Sequence, residues 1–124
     1  MILMKVSKQI PAYRDGYVKF VRHKETAASS FAAFKNTRSA ADYDVIVTLA
    51  YDRMNIRERD YEFAESLDKT LNLKIRCPYH ADVNSKLQAV IGEMLYDVYQ
   101  VDPDVNGMKM FVYMQENRRL GNDS

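Results

Sequence analysis

Leu71-Asn72-Leu73-Lys74-Ile75-Arg76-Cys77 alternates apolar and polar residues without a break. Leu71, Leu73, Ile75 and Cys77 fall on one side, and Asn72, Lys74 and Arg76 on the other. A period of two marks a strand with one face in a core and one in water. Pro78 ends the pattern, since proline cannot donate to a central ladder.

Further toward the C-terminus, Leu87 to Ile91 predicts a strand, Gly92-Glu93 a tight turn, and Met94 to Val101 the returning strand. Asp102-Pro103-Asp104-Val105-Asn106-Gly107 has turn chemistry, and Met108 to Gln115 reads as the last strand. The polar tail, residues 117–124, is expected to fray. Toward the N-terminus, Asp60 is placed as a helix N-cap, with Glu62 in the first turn and Phe63, Ala64 and Leu67 as a narrow apolar stripe ending near Asp68. Val45 to Arg57 reads as a long strand whose apolar side switches near Asp52, as at a bulge. Tyr17 to His23 is a short strand with Val18 and Phe20 on one face and Tyr17 and Val21 on the other. Residues 24–44, rich in Ala, Ser, Lys and Arg with Phe31 and Phe34 embedded, fit neither period and are read as a mobile loop or arm. Met1 to Asp15 show no clear period, and Pro11 and Arg14-Asp15-Gly16 suggest a lead-in and a turn.

The pattern predicts a mainly β protein: a small antiparallel β-barrel with one short helix and a long mobile loop. The 124 residues suit a single domain with its core at about 16–116. Lys plus Arg number 18 against 17 Asp plus Glu, so no net field draws the chain to nucleic acid or to an acidic membrane. No apolar run reaches the roughly 20 residues that span a bilayer, and Cys77 is the one cysteine. The chain reads as a soluble intracellular protein.

Catalytic signals are sparse. The four glycines form no phosphate loop, and no nucleophile elbow occurs. Cys77 and His80 stand three apart, but Pro78 separates them and no second pair completes a tetrahedral metal set. A thiol pairing of Cys77 with His23 or His80 needs an activating environment. Asp102 and Asp104 are explained by the turn around Pro103. No catalytic, metal or cofactor site is assigned. The charges of Arg53 to Asp60 alternate in sign, as on a salt-bridged strand end. Tyr13, Arg14, Tyr17, Lys19, Phe20 and Arg22 interleave aromatic and basic residues, which gives an alternative reading: a small β-barrel binding single-stranded nucleic acid. The last strand is apolar on both faces, with Met108, Met110, Val112 and Met114 on one and Phe111 and Tyr113 on the other. The second face calls for cover by the arm, the helix or another subunit, which makes Phe111 and Tyr113 candidate interface residues.

One ordered series spans about Val45 to Glu116. A long strand enters Asn55-Ile56-Arg57-Glu58-Arg59-Asp60-Tyr61-Glu62-Phe63-Ala64. Leu73-Lys74-Ile75-Arg76 follows, then Leu95-Tyr96-Asp97-Val98-Tyr99, then Val101-Asp102-Pro103-Asp104 and a final apolar strand. This series resembles the head–tail adaptor or head-completion (head-closure, stopper) family of tailed bacteriophages and prophages. The resemblance implies a non-enzymatic virion protein at the head–tail interface, present in the host cytoplasm during assembly. It would form a homo-oligomeric ring below the portal and its adaptor, close the DNA-filled head and dock tail proteins. It also implies that the arm reaches packaged double-stranded DNA through Lys24, Lys35 and Arg38, and that Phe31 and Phe34 anchor it on a neighbouring subunit.

Overall fold

In a computed structural model, described here for residues 13–24 and 42–120, six antiparallel strands and one helix follow in the order β1 (Gly16–His23), β2 (Tyr43–Arg53), α1 (Glu58–Ser66), β3 (Leu73–Pro78), β4 (Gln88–Ile91), β5 (Met94–Asp104) and β6 (Lys109–Arg119). The strands close in the order β1-β2-β3-β6-β5-β4, a closed barrel. Closure comes from a short β1–β4 ladder, Lys19–Val90 to Val21–Gln88. The mainly β architecture with one short helix is the one the alternation pattern implies.

Alternation fills the barrel. Val18, Phe20, Ile75, Cys77, Ala89, Met110, Val112 and Met114 are all fully buried, and Tyr51, Leu73, Tyr96 and Val98 complete the core. A second, smaller cluster joins Val21, Tyr43, Leu95 and Leu120. Gly16 (φ +134) lies opposite Tyr51 on β2, and a Cβ there would sit 3.3 Å from the Tyr51 ring. Glycine thus allows both the backbone angle and the close approach of the ring. Gly92 (φ 62) makes the two-residue β4–β5 turn, as the sequence implies.

Several boundaries differ from the sequence reading; β3, for one, runs from Leu73 through Pro78 rather than from Leu71 to Cys77. β2 stops at Arg53 rather than Arg57, and its bulge lies at Ile46, between the pairs Phe20–Val47 and Val21–Val45, not near Asp52. There Ile46 and Val47 both reach the core, as a bulge permits by turning two successive side chains the same way. Asp60 is N3 of α1 and not its N-cap. Arg57 occupies the cap, and the Asp60 carboxylate accepts the Arg57 backbone N–H at 2.9 Å. An arginine side chain has no acceptor to return, so the carboxylate three residues on supplies the cap. Tyr43 and Asp44, read as part of the arm, begin β2, and the Lys24 N–H bonds the Asp42 carbonyl at 2.9 Å. The rest of the proposed arm, 25–41, lies outside the described residues. β5 runs on through Asp104 and β6 starts at Lys109, so Met108 belongs to the turn. Finally, the tail does not fray at 117: β6 continues to Arg119, Leu120 is buried, and its N–H bonds the Glu93 carbonyl at 2.7 Å. A buried leucine after five polar residues holds that end. Residues 121–124 lie outside the described range.

The C-terminus of α1 is a Schellman motif. The Asp68 N–H bonds Glu65 and the Lys69 N–H bonds Ala64, with Asp68 at φ 59. Glycine is the usual occupant of that position.

Candidate interaction surface

The outward row of β3 and β6 pairs Lys74 with Tyr113, Arg76 with Phe111, and Pro78 with Lys109. The Lys74 ammonium sits 5.3 Å from the Tyr113 ring centre and 5.9 Å from that of Phe111, and the Lys109 ammonium lies 6.0 Å from Phe111. Tyr99 tilts against Tyr113 with centroids 6.4 Å apart. The second apolar face of β6 is therefore roofed in part by this chain's own cations, whose stems and charge suit an aromatic surface. Phe111 and Tyr113 remain half-buried. Burial raises the Tyr113 hydroxyl above its ordinary pKa, with Lys74 opposing. Burial also lifts Tyr99 to about 12, and its hydroxyl is enclosed without a hydrogen-bond partner.

Lys74 also bonds Asp60 at 3.0 Å, with both side chains mostly enclosed. Burial works to raise the Asp60 pKa, but the Arg57 N–H and Lys74 outweigh it and the net shift is downward. This pair fastens α1 to the barrel by its Asp60 and Ala64 side. Consequently Tyr61, Phe63 and Leu67 point outward, 49%, 41% and 42% exposed. The apolar stripe Phe63-Ala64-Leu67 is split: Ala64 is buried, whereas Phe63 and Leu67 are exposed.

A second outcrop is the β5–β6 turn. The Asp104 carboxylate accepts the Gly107 N–H at 3.0 Å, and a Cβ on Gly107 would lie 2.7 Å from the other carboxylate oxygen. The left-handed position in this turn is Met108 (φ 57), which is 76% exposed beside an exposed Val105. A large side chain in this backbone region costs on the order of 1 kcal/mol.

The basic and aromatic residues of the N-terminal part differ in exposure. Phe20 is in the core, Tyr13 lies under the Arg76 guanidinium (5.3 Å), and Tyr17, Lys19, Arg14 and Arg22 are exposed. One open ring, Tyr17, remains for stacking in that set. Lys24 is exposed at the end of β1, whereas Lys35, Arg38, Phe31 and Phe34 lie outside the described residues.

Cys77 is fully buried, and burial pushes its thiol up to about 12. A thiol held that far above neutrality is not an activated nucleophile. His80 turns back on its own loop, its Nδ1 accepting the Asp82 N–H at 3.2 Å. Among the described residues no three His, Cys, Asp or Glu side chains gather to hold a metal ion, and no helix is long and apolar enough to cross a membrane. Arg76 and Asp52 form a 2.8 Å bridge. The Asp52 carboxyl is held below its usual range by the Arg14 backbone N–H and by Arg76. No family model matches the chain, and no curated protein matches it.

Proposed function

We propose that this protein is a non-enzymatic structural component of a bacteriophage head–tail connector, a ring subunit below the portal and adaptor that closes the DNA-filled head and receives the tail. Its place of action is the head–tail interface of the virion, after assembly in the host cytoplasm. The observation that carries the reading is the β5–β6 turn, where a strained backbone angle holds Met108 in solvent beside Val105. Strain kept at an exposed apolar tip is best understood as readiness for a contact. The outward Tyr61, Phe63 and Leu67 of α1 supply a separate contact surface, as a subunit with several neighbours requires. The resemblance of the Val45–Glu116 series supplies the identity of those neighbours: further copies, portal or adaptor, tail proteins and packaged double-stranded DNA.

The test is incubation of the purified protein with DNA-filled, tailless heads, followed by sedimentation. Stoichiometric co-sedimentation, with heads then competent to accept tails, is the expected outcome. Absence from heads, with salt-sensitive retention on single-stranded DNA, would replace this reading by the nucleic-acid-binding barrel.

A further inference from the structure

The outer wall of the barrel carries two faces of opposite character. α1 lies on the β3–β6 side, fastened through Asp60 to the outward Lys74, which in turn covers Tyr113 of β6. With Asp60 and Ala64 turned inward, Glu58, Glu62 and Glu65 form the exposed crest of the helix, spaced by four and three residues. Tyr61 flanks the crest on one side, and Phe63 and Leu67 on the other. None of the three glutamates is in an ion pair among the described residues. Glu58 complements the helix dipole, but Glu65 opposes it, near a last turn that holds no basic residue. Glu62 also repels both of its acidic neighbours at helical spacing. The crest costs stability within the subunit, and a cation from outside would recover it.

Across the barrel the character reverses. In the strand order β1-β2-β3-β6-β5-β4, the seam opposite β3–β6 is the one between β4 and β1. There Val18 and Phe20 point inward, so Tyr17 and Lys19 point out, and Tyr17 is 70% exposed. Lys19 is flanked in the ladders by Thr48 and Val90, and Tyr17 by Ala50, all uncharged. Among the described residues Lys19 has no carboxylate partner.

We infer that the α1 crest of one copy docks on the Tyr17–Lys19 face of the next, with Lys19 set among Glu58, Glu62 and Glu65 and the apolar flanks meeting Tyr17. Contact of α1 with α1 would set glutamate against glutamate, and contact of β1 with β1 lysine against lysine. The pairing is therefore between unlike faces. Unlike faces on opposite sides of a subunit repeat head to tail, and such contacts close into a ring when the rotation between copies permits. The inference rests on the reading of this protein as a ring subunit and names the two faces that join.

The test uses the full chain carrying Thr48→Cys, beside Lys19, and Ser66→Cys, beside Glu62, so that both charged faces stay intact. It is treated with a short bis-maleimide linker in concentrated solution and on DNA-filled heads. The doubly substituted chain is expected to give a ladder of covalent multimers, and each single substitution none. Cys77 is buried and takes no part. Adding Glu62→Lys should lower the yield of the ladder about tenfold, and adding Lys19→Glu as well should restore most of it. Dimers from either single substitution would overturn the inference, as would absence of the ladder under both conditions. Protein bound to heads without a ladder would overturn it while leaving the head reading in place. A ladder in solution from protein that does not bind heads would support the contact and remove the head reading.

Discussion

β2 and β6 are both eleven residues long, and their fates differ. β6 is flanked by β3 through Leu73–Met114 to Pro78–Lys109 and by β5 along nearly its whole length. Its inward residues Met110, Val112 and Met114 are completely enclosed. β2 has the more β-branched sequence, yet Val47 and Leu49 stay partly open because β3 stops short beside them. What buries a strand residue is the reach of the neighbouring strand, not the residue's own hydrophobicity.

The sharpest way to break this contrast is truncation of one inward residue on each strand. Met114→Ala is expected to cost about 3–5 kcal/mol, and Leu49→Ala about half of that, in denaturant unfolding of the purified protein. Equal costs would show that the β2 side is as tightly enclosed as β6.

Next in size is the pair that fastens α1 beside β3. Asp60→Asn is expected to remove about 1–3 kcal/mol at neutral pH, because it leaves the largely enclosed Lys74 without its counter-charge. The sign of the pH dependence follows from the shifts. Asp52 and Asp60 both have carboxyl pKa values lowered by folding. Their stabilisation is complete above the unfolded value of about 3.9 and is lost as pH falls through the lower folded values. Acid unfolding of the unaltered protein should therefore steepen below about pH 4, and Asp60→Asn should show a shallower acid limb. A parallel acid limb in the variant would exclude Asp60 as a contributor.

The smallest effects sit at two backbone angles. Asp68→Gly, at the end of α1, should stabilise by about 0.5–1 kcal/mol. Met108→Gly should stabilise by a similar amount, and it should also weaken co-sedimentation with heads. A Met108→Gly protein that binds heads as before would leave the β5–β6 tip without a role in docking.

Much of the architecture was legible in the sequence. The Leu71–Cys77 alternation, the Gly92-Glu93 turn and the Asp102–Gly107 loop chemistry each depend on neighbours in the chain, and local rules capture them. The surface was less legible. Phe63, Ala64 and Leu67 read as one apolar stripe, but helical spacing does not reveal which side a helix turns inward; here that side carries Asp60, whose partner Lys74 lies fourteen residues on. The bulge at Ile46 depends on the ladder to β1, and the hold on Leu120 depends on Glu93. Phe111 and Tyr113 were visible as an excess apolar face, but the lysines over them were not, because cation and ring come from different strands. Met108 was placed in β6 because its parity matches Met110. The structure ends β5 at Asp104 and starts β6 at Lys109, which leaves Met108 in the turn.

The enclosure of Cys77 gives the molecule a built-in clock. A single thiol, sealed in the core on β3 and with its pKa pushed up to about 12, meets an alkylating reagent only when the wall around it opens. In the limit of rapid reclosing, its labelling rate relative to that of a free cysteine equals the opening equilibrium constant, so each tenfold slowing corresponds to about 1.4 kcal/mol of local stability. The same protein, unmodified, can then report whether joining a larger assembly tightens the barrel or loosens it.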